Sequence, residues 1–198
     1  MSAVAFVPPY SSSDGHRPYR GTVAMLALII GESALFTIFV VAYIFYLGKS
    51  LSGPTPRQVL EIPIFNTACL LSSSLTIWLA ERRLERKRVS AFGMWLAITI
   101  ALGVVFLIGT ALEWRKLIYQ DALTISTNLF GATFYSLVGL HATHVVLGLL
   151  MLSALLVFTI TGKVTEGQTA RIGVLAVYWH FVDAVWLVVF TVVYIVGR

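Results

Sequence analysis

The stretch YWHFVDAVWLVVF, residues 178–190, reads as lipid-facing helix at every position except His180 and Asp183. It sits inside an apolar run covering about 172–196, longer than the roughly 20 residues a helix needs to cross a bilayer. In hydrocarbon every backbone N–H and C=O must be bonded within its own segment, so such a run can only be a helix. His180 and Asp183 are i and i+3, on one side of that helix. Ionisable groups in a span are expensive, and they usually face the bundle interior or water. What this pair does depends on the rest of the chain.

Outward from that run, four more of the same kind appear, at about 22–47, 62–80, 91–112 and 129–160. The chain is 58% hydrophobic and 12% charged, against about 45–50% and about 25% in soluble domains. With a mean hydropathy of +0.87, this is an integral membrane protein. Polar connectors separate the runs: KSLSGPTPRQVLE, ERRLERKRVS, EWRKLIYQDALTIS and TGKVTEGQTAR. The second holds Arg82, Arg83, Arg86, Lys87 and Arg88, a density that marks the cytoplasmic side. Alternation then puts the N-terminus inside and the C-terminus outside, with nine Lys/Arg on inner segments and five on outer ones. The net charge of +5 is thus an orientation signal and not one for nucleic acid. Residues 1–20, rich in Pro and Ser, lack the apolar core of a signal peptide and read as a flexible arm. The expected fold is all-α: a single five-helix transmembrane domain over 21–198. Cys69 alone supports neither a disulfide framework nor a C-x-x-C site.

Five ionisable groups fall within the spans: Glu32, His141, His144, His180 and Asp183. With 1.5 Å of rise per residue, Glu32 lies roughly 14 Å from the inner end of its span, His180 roughly 12 Å and Asp183 roughly 16 Å. His141 and His144, on a span running the other way, lie about 12 Å and about 8 Å from the inner edge. Three helices therefore bring such groups to the inner half of the membrane. The residues suit a metal site, a proton relay or an interhelical polar network whose members satisfy one another, and these readings stay open. Glu113, followed by Trp114, Arg115 and Lys116, reads as a helix-end interfacial group. Asn66, Thr67, Ser72, Ser73, Ser74 and Thr76 give the second span a polar side turned to its neighbours. Gly93, Ala97, Ala101 and Gly109 form a small-residue row that permits close helix approach.

YWHFVDAVW (178–186) resembles the closing-helix signature of subunit III of the haem–copper respiratory oxidases. TISTNLFGATFYSLVGLHATHVVLG (124–148), IPIFNTACLLSSSLT (62–76), ITIALGVVFLIGTALEW (98–114) and GTVAMLALIIGESALFTIF (21–39) are similar to further blocks of that family, in the family's order. The likeness covers about 20–198. One departure is Gly31, where the family has Ser before its intramembrane Glu.

The resemblance implies a non-redox subunit, without a catalytic centre, of an oxygen-reducing, proton-pumping cytochrome c oxidase in the aerobic respiratory chain. It implies partner subunits I (catalytic) and II, which carry haem and copper, and a multi-pass place in the bacterial inner membrane. In the family, subunit III sustains proton uptake by subunit I and protects it during turnover. Glu32 would match the family carboxylate that reacts with carbodiimides; His141, His144, His180 and Asp183 its buried polar positions; and Glu113 its helix-end Glu. Longer members have seven spans with phospholipid in a cleft between the first two and the other five; the five spans here correspond to the latter. No cofactor is expected in this chain itself. Its four histidines and one cysteine are too few for two haems and copper centres. Alternatives are subunit III of a quinol oxidase, an independent small transporter or a membrane metalloenzyme.

Overall fold

The computed structural model describes residues 20–50, 53–163 and 169–197; the 1–19 portion of the expected arm lies outside them. The described residues are helical, with no strand among them. Six α-helices run in order: α1 (Arg20–Tyr46), α2 (Pro56–Val59), α3 (Ile64–Glu85), α4 (Val89–Tyr119), α5 (Leu129–Ile160) and α6 (Thr169–Phe190). A π-helical segment, Thr191–Val196, continues α6.

Four helices are long and apolar enough to cross a membrane, in the segments Gly21–Tyr46, Val89–Tyr119, Leu129–Ile160 and Ile172–Val196. The chain is therefore a multi-pass membrane protein. The segment expected as a span at 62–80 is helical, as α3, but is not among these four; its 22 residues reach about 33 Å. Asn66, the Ser72–Ser74 run and the charged end ERRLE leave it more polar than the other four.

Two helices outrun the sequence-based boundaries. α3 continues through ERRLE and α4 through EWRKLIY, because Glu, Arg, Lys and Leu are good helix formers and neither segment contains a breaker. α3 stops where Lys87 takes a left-handed φ of 61°, with Lys87 N–H donating to the Leu84 carbonyl and Arg88 N–H to that of Arg83. α4 stops before Ala122, at φ 51°. At the start of α5, the Asn128 side chain accepts from Gly131 N–H at 2.8 Å, an N-cap that satisfies one free amide of the first turn.

α3 and α4 form a hairpin, α4 packs on α5, and α6 packs against α1, α3 and α5. Trp179 joins these layers. It is fully buried, and its Nε1–H donates to Ser73 Oγ of α3 at 2.9 Å. Its ring fills the space left by two glycines: a Cβ on Gly148 of α5 would lie 2.8 Å from the indole, and one on Gly103 of α4 3.0 Å from it. The expected row is less uniform. Gly93 meets Thr159 of α5 while Gly109 meets the Asn66 side chain of α3, so its ends serve different interfaces. α1 is the outlier: 6% of its span is buried, against 39% for α5 and for α6. It lies on the α5–α6 layer and leaves most of its apolar surface facing outward.

Candidate functional site

The five ionisable groups fall into three settings. The first joins α1 to α5: His144 Nε2 lies 3.1 Å from Glu32 Oε2. The other ring nitrogen, Nδ1, is 2.8 Å from the Leu140 carbonyl. A carbonyl only accepts, so Nδ1 carries a hydrogen. Nε2 and the Glu32 carboxyl then share a single further proton, as imidazolium with carboxylate or as imidazole with carboxylic acid. Phe36 packs on the imidazole, ring centroids 5.0 Å apart.

The second setting joins α6 to α3. Ser74 Oγ is 3.0 Å from His180 Nδ1 and donates to the Asp183 carboxylate through Oδ2. The serine hydrogen is committed to Asp183, so His180 Nδ1 must be the donor to Ser74 Oγ. A directed chain results, His180 Nδ1–H to Ser74 O–H to Asp183 Oδ2, with His180 Nε2 as the acceptor at its open end. Asp183 is buried; His180 and Ser74 are half-buried.

His141 stands by itself. It is 1% exposed and enclosed by Trp186 at 4.9 Å, Phe106 at 5.9 Å and Phe36 at 6.5 Å between ring centroids. Neither ring nitrogen has a hydrogen-bond partner among the described residues. Although His141 and His144 share a helix, three residues turn the helix by about 300°, so the two side chains diverge by about 60°. Only His144 reaches Glu32.

Glu113 belongs to neither pair. Both its oxygens accept from Tyr194 O–H, at 2.9 and 3.1 Å, and Tyr194, in the π-helical segment, is 1% exposed. It is thus a bonded group between α4 and the chain's last helical turns. Nearby, Lys116 and Glu61 form an exposed ion pair, of a kind that solvent screens and that contributes little. Trp186 is a packing residue, buried, with its Nε1–H donating to Thr67 Oγ1 at 3.2 Å.

The polar side expected on α3 is present and specific: Thr67 and Ser73 receive the two indole N–H groups, Ser74 bridges His180 and Asp183, and Thr76 Oγ1 lies 2.8 Å from Thr99 Oγ1 of α4. Ser74 is the bridging residue that sequence reading left in a stripe. Its signal was its place in that stripe opposite His180, visible only once α3 and α6 are set antiparallel. Among the described residues no three of His, Cys, Asp and Glu lie together as a metal-holding group. The arrangement consists of hydrogen-bonded groups that can accept and donate protons.

A polytopic helical membrane protein with interhelical histidine–carboxyl contacts is the class that fold and site define. The pattern of the family Cytochrome c oxidase subunit III matches residues 20–198. Proteins named Cytochrome c oxidase subunit 3 align throughout. One from Alkalihalophilus pseudofirmus is 36% identical over 192 residues, covering 96% of this chain and 92% of its own. One from Thermostichus vulcanus is 32% identical, covering 92% and 90%, and one from Bacillus subtilis is 31% identical, covering 84% and 82%. The chain belongs to the cytochrome c oxidase subunit III family: it is an accessory subunit of an oxygen-reducing terminal oxidase.

Proposed function

We propose that the chain sits beside the catalytic subunit I, with subunit II in the same complex, in a bacterial inner membrane. It crosses five times as a single domain over 21–198, with α3 as the fifth crossing, the N-terminus in the cytoplasm and the C-terminus outside. Its buried pairs hold protons close to the partner's uptake route and steady that partner during turnover. The observation that carries this reading is the Glu32–His144 contact, at 3.1 Å between α1 and α5, where one proton can be held between the two groups. Such a pair can take up or release charge with little rearrangement, because both partners are already in place. The polarity of α3 favours its inclusion in the bundle, since its hydroxyls are spent on α4 and α6. The outward apolar face of α1 suits lipid or a neighbouring subunit.

The names of the relatives favour cytochrome c as electron donor over quinol. The test is Glu32→Gln or His144→Gln in the assembled oxidase, with haem spectra and oxygen-pulse proton uptake measured together. Slower uptake or a shorter turnover lifetime with unchanged haem spectra supports the role. Wild-type uptake and lifetime in both variants would remove it.

A further inference from the structure

One carboxylate near the bundle lies outside all three settings. Glu81, half-buried in the penultimate turn of α3, lines a cleft of about 250 Å³ together with Thr22 and Met25 of α1 and Gly173, Val174 and Val177 of α6. A Cβ on Gly173 would stand 3.5 Å from Glu81 Oε1, so the carboxylate lies against the α6 backbone. The described side chains facing it from α1 and α6 are uncharged. On its own helix, Glu85 is one turn further on, and Arg82 is turned onto the Trp78 ring at 3.8 Å.

The register of the α3–α6 seam gives this position meaning. The two helices are antiparallel: Thr67 meets Trp186, Ser74 meets His180, and Glu81 meets Gly173. Glu81 and Ser74 are seven residues apart on α3, as are Gly173 and His180 on α6, so each pair shares a face at a separation of about 10 Å. The cleft reaches Val177, one turn short of His180. A half-buried carboxylate therefore stands in a cleft that ends one turn short of His180 on the same seam.

We propose that Glu81 is the port through which the His180–Ser74–Asp183 relay fills and empties. The inference rests on the proton-holding role above. Glu81 in its acid form gives its proton, through water in the cleft, to His180 Nε2. The Nδ1 hydrogen passes to Ser74 Oγ as the serine hydrogen passes to Asp183 Oδ2. Glu81 is left as carboxylate and regains a proton from the aqueous phase. The net change is one proton from solution to Asp183, and the return runs by the same steps.

The test uses the assembled oxidase and proton uptake after an oxygen pulse. Glu81→Gln is expected to slow uptake several-fold with unchanged haem spectra, Glu81→Asp to keep most of the rate, and added imidazole buffer to restore the Gln variant. Val177→Phe, which fills the cleft and leaves Glu81 intact, should reproduce the loss. Glu81→Gln combined with Asp183→Asn should be no worse than the slower single variant. A wild-type rate in both Glu81→Gln and Val177→Phe overturns the proposal, as does a loss that imidazole does not relieve. If Glu81→Gln fails to assemble, Glu81→Asp and Val177→Phe decide. If Asp183→Asn and Glu32→Gln slow uptake while Glu81→Gln does not, only the port falls. If none of the three has an effect, the proton-holding role falls with it.

Discussion

The two histidine–carboxylate pairs use the same chemical groups and are wired in opposite ways. At Glu32–His144 the far ring nitrogen is tied to the Leu140 carbonyl, so a proton can enter or leave only on the Glu32 side. That pair has the wiring of a store. At His180–Asp183 the far nitrogen is tied to a hydroxyl that donates onward, so a proton arriving at one end could displace one at the other. That pair has the wiring of a conduit. The difference is set by the second partner of each imidazole, a backbone carbonyl in one case and a serine in the other. Counting histidines and carboxylates could not have separated them.

The largest expected effect breaks the conduit side by packing alone. Trp179→Ala removes the side chain wedged between Gly103, Gly148 and Ser73, and large-to-small changes of this kind cost about 3–5 kcal/mol. Thermal unfolding in detergent should show that loss. The α1–α5 contact does not include Trp179, so a histidine-sensitive infrared signal from His144 should survive at temperatures where the folded variant persists. Next in size is His144→Ala, which leaves the Glu32 carboxyl without its hydrogen-bond partner. The expected loss is about 1.5–3 kcal/mol, in the range for hydrogen bonds to charged groups. Glu32→Gln with His144 intact should cost less, since Nε2 can still find a donor in the amide.

Ser74 sharpens the contrast at smaller cost. Ser74→Ala disconnects His180 from Asp183 and should destabilise by about 1–3 kcal/mol, because a buried carboxylate oxygen loses its donor. Ser74→Thr keeps a hydroxyl on a stiffer side chain and should retain most of both stability and proton uptake. Equal losses from Ala and Thr would mean the hydroxyl is not the link. No counterpart exists for the store, where the backbone carbonyl of Leu140 cannot be removed by substitution.

The helices and the pairs were legible in the sequence to different degrees, for a physical reason. Whether a segment is apolar enough for lipid depends on its own residues, so residues 129–160 match α5 to the residue. Helix ends depend on the aqueous turn beyond the span, which is why α3 and α4 run on through charged residues. The candidate residues were legible as types, and their partners were not. Spacing of i and i+3 put His141 beside His144 and His180 beside Asp183 with the same divergence of about 60°, yet His141 turns into an aromatic enclosure while Ser74 spans the second pair. Partner choice belongs to the facing helix. Sequence alone leaves Trp186 and Tyr194 open between interfacial belt and packing for the same reason; both are buried, on Thr67 and Glu113.

The smallest effect is the most pointed, because its sign differs from the others. His141 has the exposure of a core residue and three aromatic neighbours, with no polar partner for either nitrogen among the described residues. Burying an imidazole without hydrogen bonds carries a desolvation penalty that an apolar ring of similar shape avoids. His141→Phe should therefore change stability by less than about 1 kcal/mol, or raise it, within the range of volume-conserving swaps. Proton uptake should stay at the wild-type rate. A loss as large as that of His144→Ala, or slowed uptake, would show that the nitrogens of His141 are engaged in the oxidase. The store on α1–α5 and the conduit on α3–α6 would then be joined through the helix that separates them.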